Sequence, residues 1–230
     1  MNKKMQKPIQ QGWKQALGVA VVSFLILFAY AIIRYNIIKG VSFNQMPLYI
    51  SNKAIAVTAV VLIGISYLLG PLAHISPKKF VPKLYLRKYF GLCGFGLAAL
   101  HSFISLLIFS PSYYPKFFNE ANKLTLEGEL SMAFGIIAFF IFLIESITSL
   151  PSVEQKMNEK DWKLVQRTGY LALVLIMMHV LLMGIGTWLK PETWHYMLPM
   201  SLISFIIIAY VLLMRLIVII LPQGKIKKKL

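Results

Sequence analysis

Six apolar blocks, separated by short polar or basic intervals, organise the chain of 230 residues. Residues 15–33 and 54–73 carry no charge, and residues 89–115 form a third charge-free run. The fourth block, from 130 to about 150, is interrupted only by Glu145. The fifth covers 168–189, and the sixth covers 193–221 with Arg215 near its end. A helix rises 1.5 Å per residue, so about 20 residues cross a hydrocarbon layer of roughly 30 Å, and each block is long enough. The pattern predicts an all-α polytopic membrane protein, a six-helix bundle. Five or seven spans are the alternatives, because a block such as the fourth could be re-entrant or interfacial. On this reading residues 1–14 are an N-terminal tail, 15–221 the membrane domain and 222–230 a basic tail. The first block is followed by IIRYNIIKG. A cleaved signal peptide would show a small-x-small site and a polar start there, so the block reads as a retained span.

Composition agrees with the pattern. The chain is 58% hydrophobic with only 14% charged residues, against about 25% in water-soluble domains. The net charge of +16 would suit a nucleic-acid partner if the cations formed one patch, but they sort by loop instead. Lys3, Lys4, Lys7, Lys14, Lys78, Lys79, Lys83, Arg87, Lys88, Lys156, Lys160, Lys163, Arg167, Lys225, Lys227, Lys228 and Lys229 fall on one side, seventeen in all. Six, namely Arg34, Lys39, Lys53, Lys116, Lys123 and Lys190, fall on the other. The positive-inside rule then places both termini in the cytoplasm, with the basic loops facing anionic lipid, in a cell inner (plasma) membrane. No aromatic stacking platform accompanies the cations, so nucleic acid is not expected. The single cysteine, Cys93, excludes an internal disulfide and a thiolate cluster and reads as a small filler. With no long soluble extension, no fused flavin or nucleotide domain is expected.

Two of the four histidines lie deep within apolar blocks, where an ionisable ring needs a partner or a task. His101 is 14 residues beyond Arg87, and His179 is 12 to 16 beyond Arg167 and Lys163. Both therefore sit roughly 20 Å from the cytoplasmic edge, on helices that run the same way. Two imidazoles at one level can close on one metal from opposite sides, and imidazole suits iron. Gly94 and Ala98 share the His101 face and leave it almost bare; Gly91 and Gly96 add room. Ala172, Met183 and Gly186 flank His179 in the same manner. Close helix packing without any cofactor uses small residues too. Two nitrogens are too few for a structural zinc site. His74 and His195 read as interfacial.

The stretches RKYFGLCGFGLAALHSF (87–103), EGELSMAFGIIAFFIFLIESITSLPS (127–152) and WKLVQRTGYLALVLIMMHVLLMG (162–184) resemble the third, fourth and fifth helices of the ferric reductase-like transmembrane domain. The likeness spans about residues 50 to 220. Among its members, the short six-helix form without a flavin domain looks most like MsrQ, the haem-binding membrane subunit of a periplasmic methionine sulfoxide reductase system. The resemblance implies a b-type haem ligated by His101 and His179. The family often carries a second, inner histidine pair. Here Gln166 and the Arg87–Lys88 pair stand at those positions, so one haem is expected.

Two axial imidazoles suit electron transfer rather than oxygen chemistry. Electrons would enter from a quinol or a cytoplasmic flavin protein and leave at the outer face. For an MsrQ-like member the acceptor would be a periplasmic molybdenum-containing reductase, with no substrate-reducing site in this chain. A ferric or cupric reductase component and a cofactor-free transporter or scaffold are the alternatives. Near the inner face, Glu145 and Arg215 read as a buried ion pair. Together with Gln166, Arg87 and Arg167 they read alternatively as a polar pocket for a quinone head group. Tyr113, Tyr114, Trp188, Trp194 and His195 read as an interfacial aromatic belt that could also meet haem propionates or a docking partner, alongside Lys116 or Lys190.

Overall fold

In the computed structural model, which describes residues 3–194 and 196–220, six helices are long and apolar enough to cross a membrane. They are α1 (Lys3–Ala31), α2 (Ser51–Ile75), α3 (Leu86–Leu107), α4 (Leu126–Thr148), α5 (Glu159–Trp188) and α6 (Met200–Ile220). The chain is a multi-pass membrane protein of all-α class. Its described residues hold one isolated antiparallel bridge, Phe118 with Leu124, and no sheet.

Local chemistry sets the ends. Thr125 accepts a hydrogen bond from the Gly128 N–H at 3.2 Å and opens α4; Asn158 accepts from the Asp161 N–H at 2.9 Å and opens α5. Glu127, Glu129, Glu159 and Asp161 lie in those first turns, where the helix dipole favours negative charge. The third apolar block stops being helical at Leu107, because Pro111 and Pro115 follow and neither can continue an α-helical ladder. The sixth block begins its helix at Met200 rather than at 193, directly after Pro199.

The first element is longer than the sequence pattern suggests. α1 starts at Lys3 and runs on through a π-helical stretch, Ile32–Ile38, so residues 3–14 are helical, and the candidate membrane span begins at Gln10. Trp13 packs edge-on against Tyr89 with ring centroids 5.4 Å apart, and Gly12 lies so close to that tyrosine that a Cβ would sit 2.3 Å from its ring. At the other end Arg34, only 1% exposed, donates to the carbonyls of Trp194 and Met197 and ties α1 to the segment before α6. Arg34 thus belongs to a span end rather than to a free loop. The basic tail expected at 222–230 lies outside the described residues.

α2 is the central helix. Of its apolar window 61% is buried, against 11–22% for the other five. It packs on α1, α3 and α6, while α5 packs on α4 and α6. The principal core joins Ile63 and Tyr67 of α2, Ala138 and Phe142 of α4, Ala172 and Leu173 of α5, and Ile208 and Val211 of α6. Leu25, Leu106, Phe140 and Ile220 remain exposed, as a lipid-facing surface requires. Between α3 and α5 there is hardly any contact, and α3 meets α4 only lightly. His101 and His179 thus lie on two helices, α3 and α5, that scarcely pack on each other directly.

The loops between α1 and α2, α3 and α4, and α5 and α6 share one end of the bundle. Reporter fusions at Lys123 and after Leu230 should report opposite sides of the membrane, the second cytoplasmic. The same side for both would overturn the six-span topology.

Candidate functional site

His101 lies on α3 and His179 on α5. His101 Nδ1 is 2.9 Å from Asn52 Oδ1 of α2. The amide is oriented by its own donation from Nδ2 to Ser105 Oγ at 2.8 Å, so the oxygen faces the ring. His179 Nδ1 is 2.8 Å from the main-chain carbonyl of Ser131 on α4, with Ser131 Oγ 3.1 Å away. A carbonyl oxygen only accepts, so each ring carries its proton on Nδ1 and keeps the lone pair on Nε2. Among the described residues neither Nε2 has a hydrogen-bond partner, and the two rings lie within electrostatic reach of each other. A hydrogen bond of this kind at the far nitrogen fixes the ring orientation of a metal-ligating histidine.

Gly135, one helical turn beyond Ser131, makes room for the second ring: a Cβ there would lie 3.2 Å from His179 Nδ1. Asn52 and Ser131 are almost fully buried, at 1% and 2% exposure. Sequence reasoning missed all three. A lone asparagine at the start of a long apolar run was the available signal for Asn52; Ser131 and Gly135, four residues apart on one helical face, had none.

The small residues near His101 divide. Gly94 faces α2, where a Cβ would lie 2.8 Å from Ile63 Cγ1 and 3.1 Å from Leu62 Cβ, so it serves helix packing rather than clearance around the histidine. Ala98 packs against the principal core, and Gly91 faces Ser66. A Cβ at Gly96 or Gly186 would meet nothing within 4 Å, and Ala172 is wholly buried in the core. No group of three or more His, Cys, Asp or Glu gathers among the described residues. Two imidazoles alone are too few for a metal bound by protein ligands only, so any metal held here would have to bring further ligands of its own.

On the basic side a cavity of about 700 Å³ opens between α2, α3, α4, α5 and α6. Its lining includes Tyr67, Arg87, Glu145, Gln166, Arg167 and Arg215, so the inner polar residues singled out in the sequence do converge on one space. Their pairing differs from expectation, since Glu145 and Arg215 form no ion pair. Tyr67 donates its hydroxyl to Glu145 Oε2 at 2.5 Å, and the Arg215 guanidinium lies over the Tyr170 ring, 5.1 Å from its centroid. Each charge has found an aromatic neighbour instead. The ion pairs among the described residues are peripheral, Lys88 with Glu154 at 2.5 Å and Lys163 with Glu159.

Gln166 donates from Nε2 to the Glu145 carbonyl at 3.1 Å and to the Thr148 and Ser149 hydroxyls at 3.2 Å each. Its amide nitrogen fastens α5 to the end of α4. Arg87 is tied to α2: its Nε donates to the Ser66 carbonyl at 3.3 Å, and Ser66 Oγ donates to the Arg87 carbonyl at 2.7 Å. His74, expected at the interface, lines the cavity with a buried and unpartnered Nε2. His195 lies outside the described residues.

At the opposite end Lys53 lies over the rings of Tyr49 and Tyr35, at 4.1 and 5.1 Å, and Lys116 donates to the Met183 carbonyl, one turn beyond His179. The aromatic belt is engaged within the protein. Trp188 donates to Ser201 Oγ at 3.0 Å, Trp194 to the Thr187 carbonyl at 3.0 Å, and Tyr113 and Tyr114 both pack on Tyr49.

The family described as "Ferric reductase like transmembrane component" matches residues 55–177, which hold α2 from its first turn, all of α3 and α4, and α5 almost to His179. Human metalloreductase STEAP2 is 25% identical over 241 aligned residues, covering 91% of this chain and 49% of the relative. Rat metalloreductase STEAP3 is 27% identical over 218, covering 81% and 45%. The chain thus spans about half the length of the curated relatives it matches. Nothing in these matches singles out MsrQ, and the relatives are named for metal reduction. The chain belongs to the ferric reductase-like transmembrane component family.

Proposed function

We propose that this chain is the haem-bearing electron-transfer component of a ferric or cupric reductase, taking electrons from the cavity on the cytoplasmic side and delivering them at the opposite face. The observation that carries the reading is the matched state of His101 and His179, each with Nδ1 held by an oxygen and Nε2 left free on helices that hardly touch. A b-type haem bound there would supply a one-electron Fe(III)/Fe(II) couple with both axial positions filled. The chain's own part is to hold the two imidazoles in one tautomer, keep water away and place the donor.

The engagement of Gln166 with α4 supports one haem rather than two. The cavity has the size of a small-molecule site, and Arg87, Arg167 and Arg215 suit the anionic part of a flavin or the polar head of a quinone. Phe95 and Phe142 line it and lie, along their helices, between the level of Arg87 and Glu145 and that of the histidines; they form an apolar partition. The acceptor class follows the relatives' name, metalloreductase.

Purified protein assayed as its pyridine haemochrome should give a haem-to-chain ratio near one, and His74→Ala should leave that ratio unchanged. A ratio near two would overturn the single-haem reading. Protein reduced with dithionite and freed of excess should be reoxidised by a ferric or cupric chelate. A reduced spectrum that persists in both chelates would overturn the reductase reading.

A further inference from the structure

We propose that Glu145 is the proton acceptor for a two-electron donor oxidised in the inner cavity, an inference that rests on that cavity being the donor site. Glu145 is 6% exposed and its Oε1 is buried with no hydrogen-bond partner, although the residue lines the cavity. Its other oxygen accepts the Tyr67 hydroxyl, and no cation pairs with it. A carboxylate held permanently charged in such a place is costly, and one held permanently neutral for structure alone would donate its proton to a neighbour. A group that alternates between the two states fits both observations.

The groups around it are consistent with that role. From α2 comes the Tyr67 hydroxyl, and from α3 Arg87 acts at longer range. From α5 come Thr168, Gly169, which allows the closest approach, and Tyr170; Arg215 of α6 stands behind Tyr170. His74, two turns along α2 from Tyr67 towards the basic end, presents the second buried and unpartnered polar atom on the same cavity and is the next group outward.

The chemistry requires such a group. A quinol or reduced flavin loses two electrons and two protons, whereas the histidine pair serves a one-electron couple that takes no proton. In each half-oxidation one O–H or N–H bond of the donor breaks. The electron would pass to the ferric haem that His101 and His179 would hold, reducing Fe(III) to Fe(II), and the proton forms a new O–H bond at Glu145 Oε1. Glu145 then releases that proton towards the basic face before the second half-oxidation repeats the step.

The test uses the full haem-loaded chain with duroquinol, with photoreduced flavin mononucleotide, and with dithionite as a donor that needs no proton acceptor. Glu145→Gln keeps an acceptor for Tyr67 and should slow reduction by duroquinol or flavin about a hundredfold, the usual weight of general base catalysis. Its pH profile should follow the free donor's own ionisation, while dithionite reduction and the visible spectrum stay unchanged. Glu145→Asp should recover part of the rate. Infrared difference spectra on donor oxidation should show a protonated carboxyl band that E145Q lacks. Unchanged quinol and flavin rates in E145Q would overturn the proposal, as would an equal loss with dithionite. Gly70→Phe, which fills the cavity, separates the two readings. If G70F leaves the quinol and flavin rates intact, the cavity is not the donor site. If it abolishes them while E145Q does not, only the role of Glu145 fails.

Discussion

Alanine at His101 or at His179 is expected to remove the low-spin haem spectrum while the chain still inserts in the membrane. Insertion depends on span length and apolarity, which neither substitution reduces. Haem retention depends on axial bonds, and with two ligands on helices that hardly meet, each ring accounts for a whole side of the site. Either single variant should therefore lose most of its haem or retain it in a high-spin form. Reduced-minus-oxidised spectra at matched expression provide the measurement. An unaltered bis-imidazole spectrum in H101A or H179A would break the assignment and leave the electron-transfer reading without a chemical centre. Packing alone predicts no spectral difference between these variants and His74→Ala, so the comparison also separates a cofactor site from a helix-packing motif.

Gly169→Ala is expected to be the most damaging small substitution at the inner site. A Cβ at this position would fall 1.5 Å from the Tyr67 hydroxyl oxygen and 2.5 Å from Glu145 Oε1. Tyr67 cannot easily retreat. Its ring packs edge-on against Tyr170 at 5.0 Å and against Phe142 at 6.2 Å, inside the principal core. Overpacking of this kind costs about 1–3 kcal/mol, and each kcal/mol lowers the melting temperature of a chain of this length by about 2–4 °C. Adding Tyr67→Phe removes the nearest colliding atom and leaves the milder approaches of the ring Cζ and Glu145 Oε1, both at 2.5 Å, so the double variant should melt closer to wild type than Gly169→Ala alone. Gly96→Ala and Gly186→Ala, with open space at both positions, are the controls. A melting temperature for Gly169→Ala within error of those controls would refute the close approach.

The span count is legible in the sequence because it depends on a one-dimensional signal. Long apolar runs can be counted along the chain. Pairing between helices cannot be counted that way. Glu145 and Arg215 look like partners because opposite charges at one depth normally seek each other, yet Tyr67 and Tyr170 lie nearer and each takes one. Gly94 reads as clearing space for a cofactor, whereas its missing side chain admits α2. Which face of α3 meets α2 depends on helix rotation and on where the neighbours stand, and in a membrane an apolar face turned to lipid cannot be told by composition from one turned to another helix. Arg34 reads as a loop residue because it is the first charge after the charge-free run 15–33. The π-helical turn that carries it inward, to the carbonyls of Trp194 and Met197, has no sequence signature here.

The rings of His101 and His179 differ in what anchors them, and that difference divides how the site can change. His179 leans on the main chain at Ser131, so any residue at 131 still supplies the oxygen and its hold survives sequence drift. His101 leans on a side chain, so a change at Asn52 alters the polarity, charge and reach of its partner directly. The anchor of one ring is thus insulated from mutation and that of the other is open to it. If the pair holds haem as proposed, a change at this single position on the central helix shifts the redox potential with neither histidine altered.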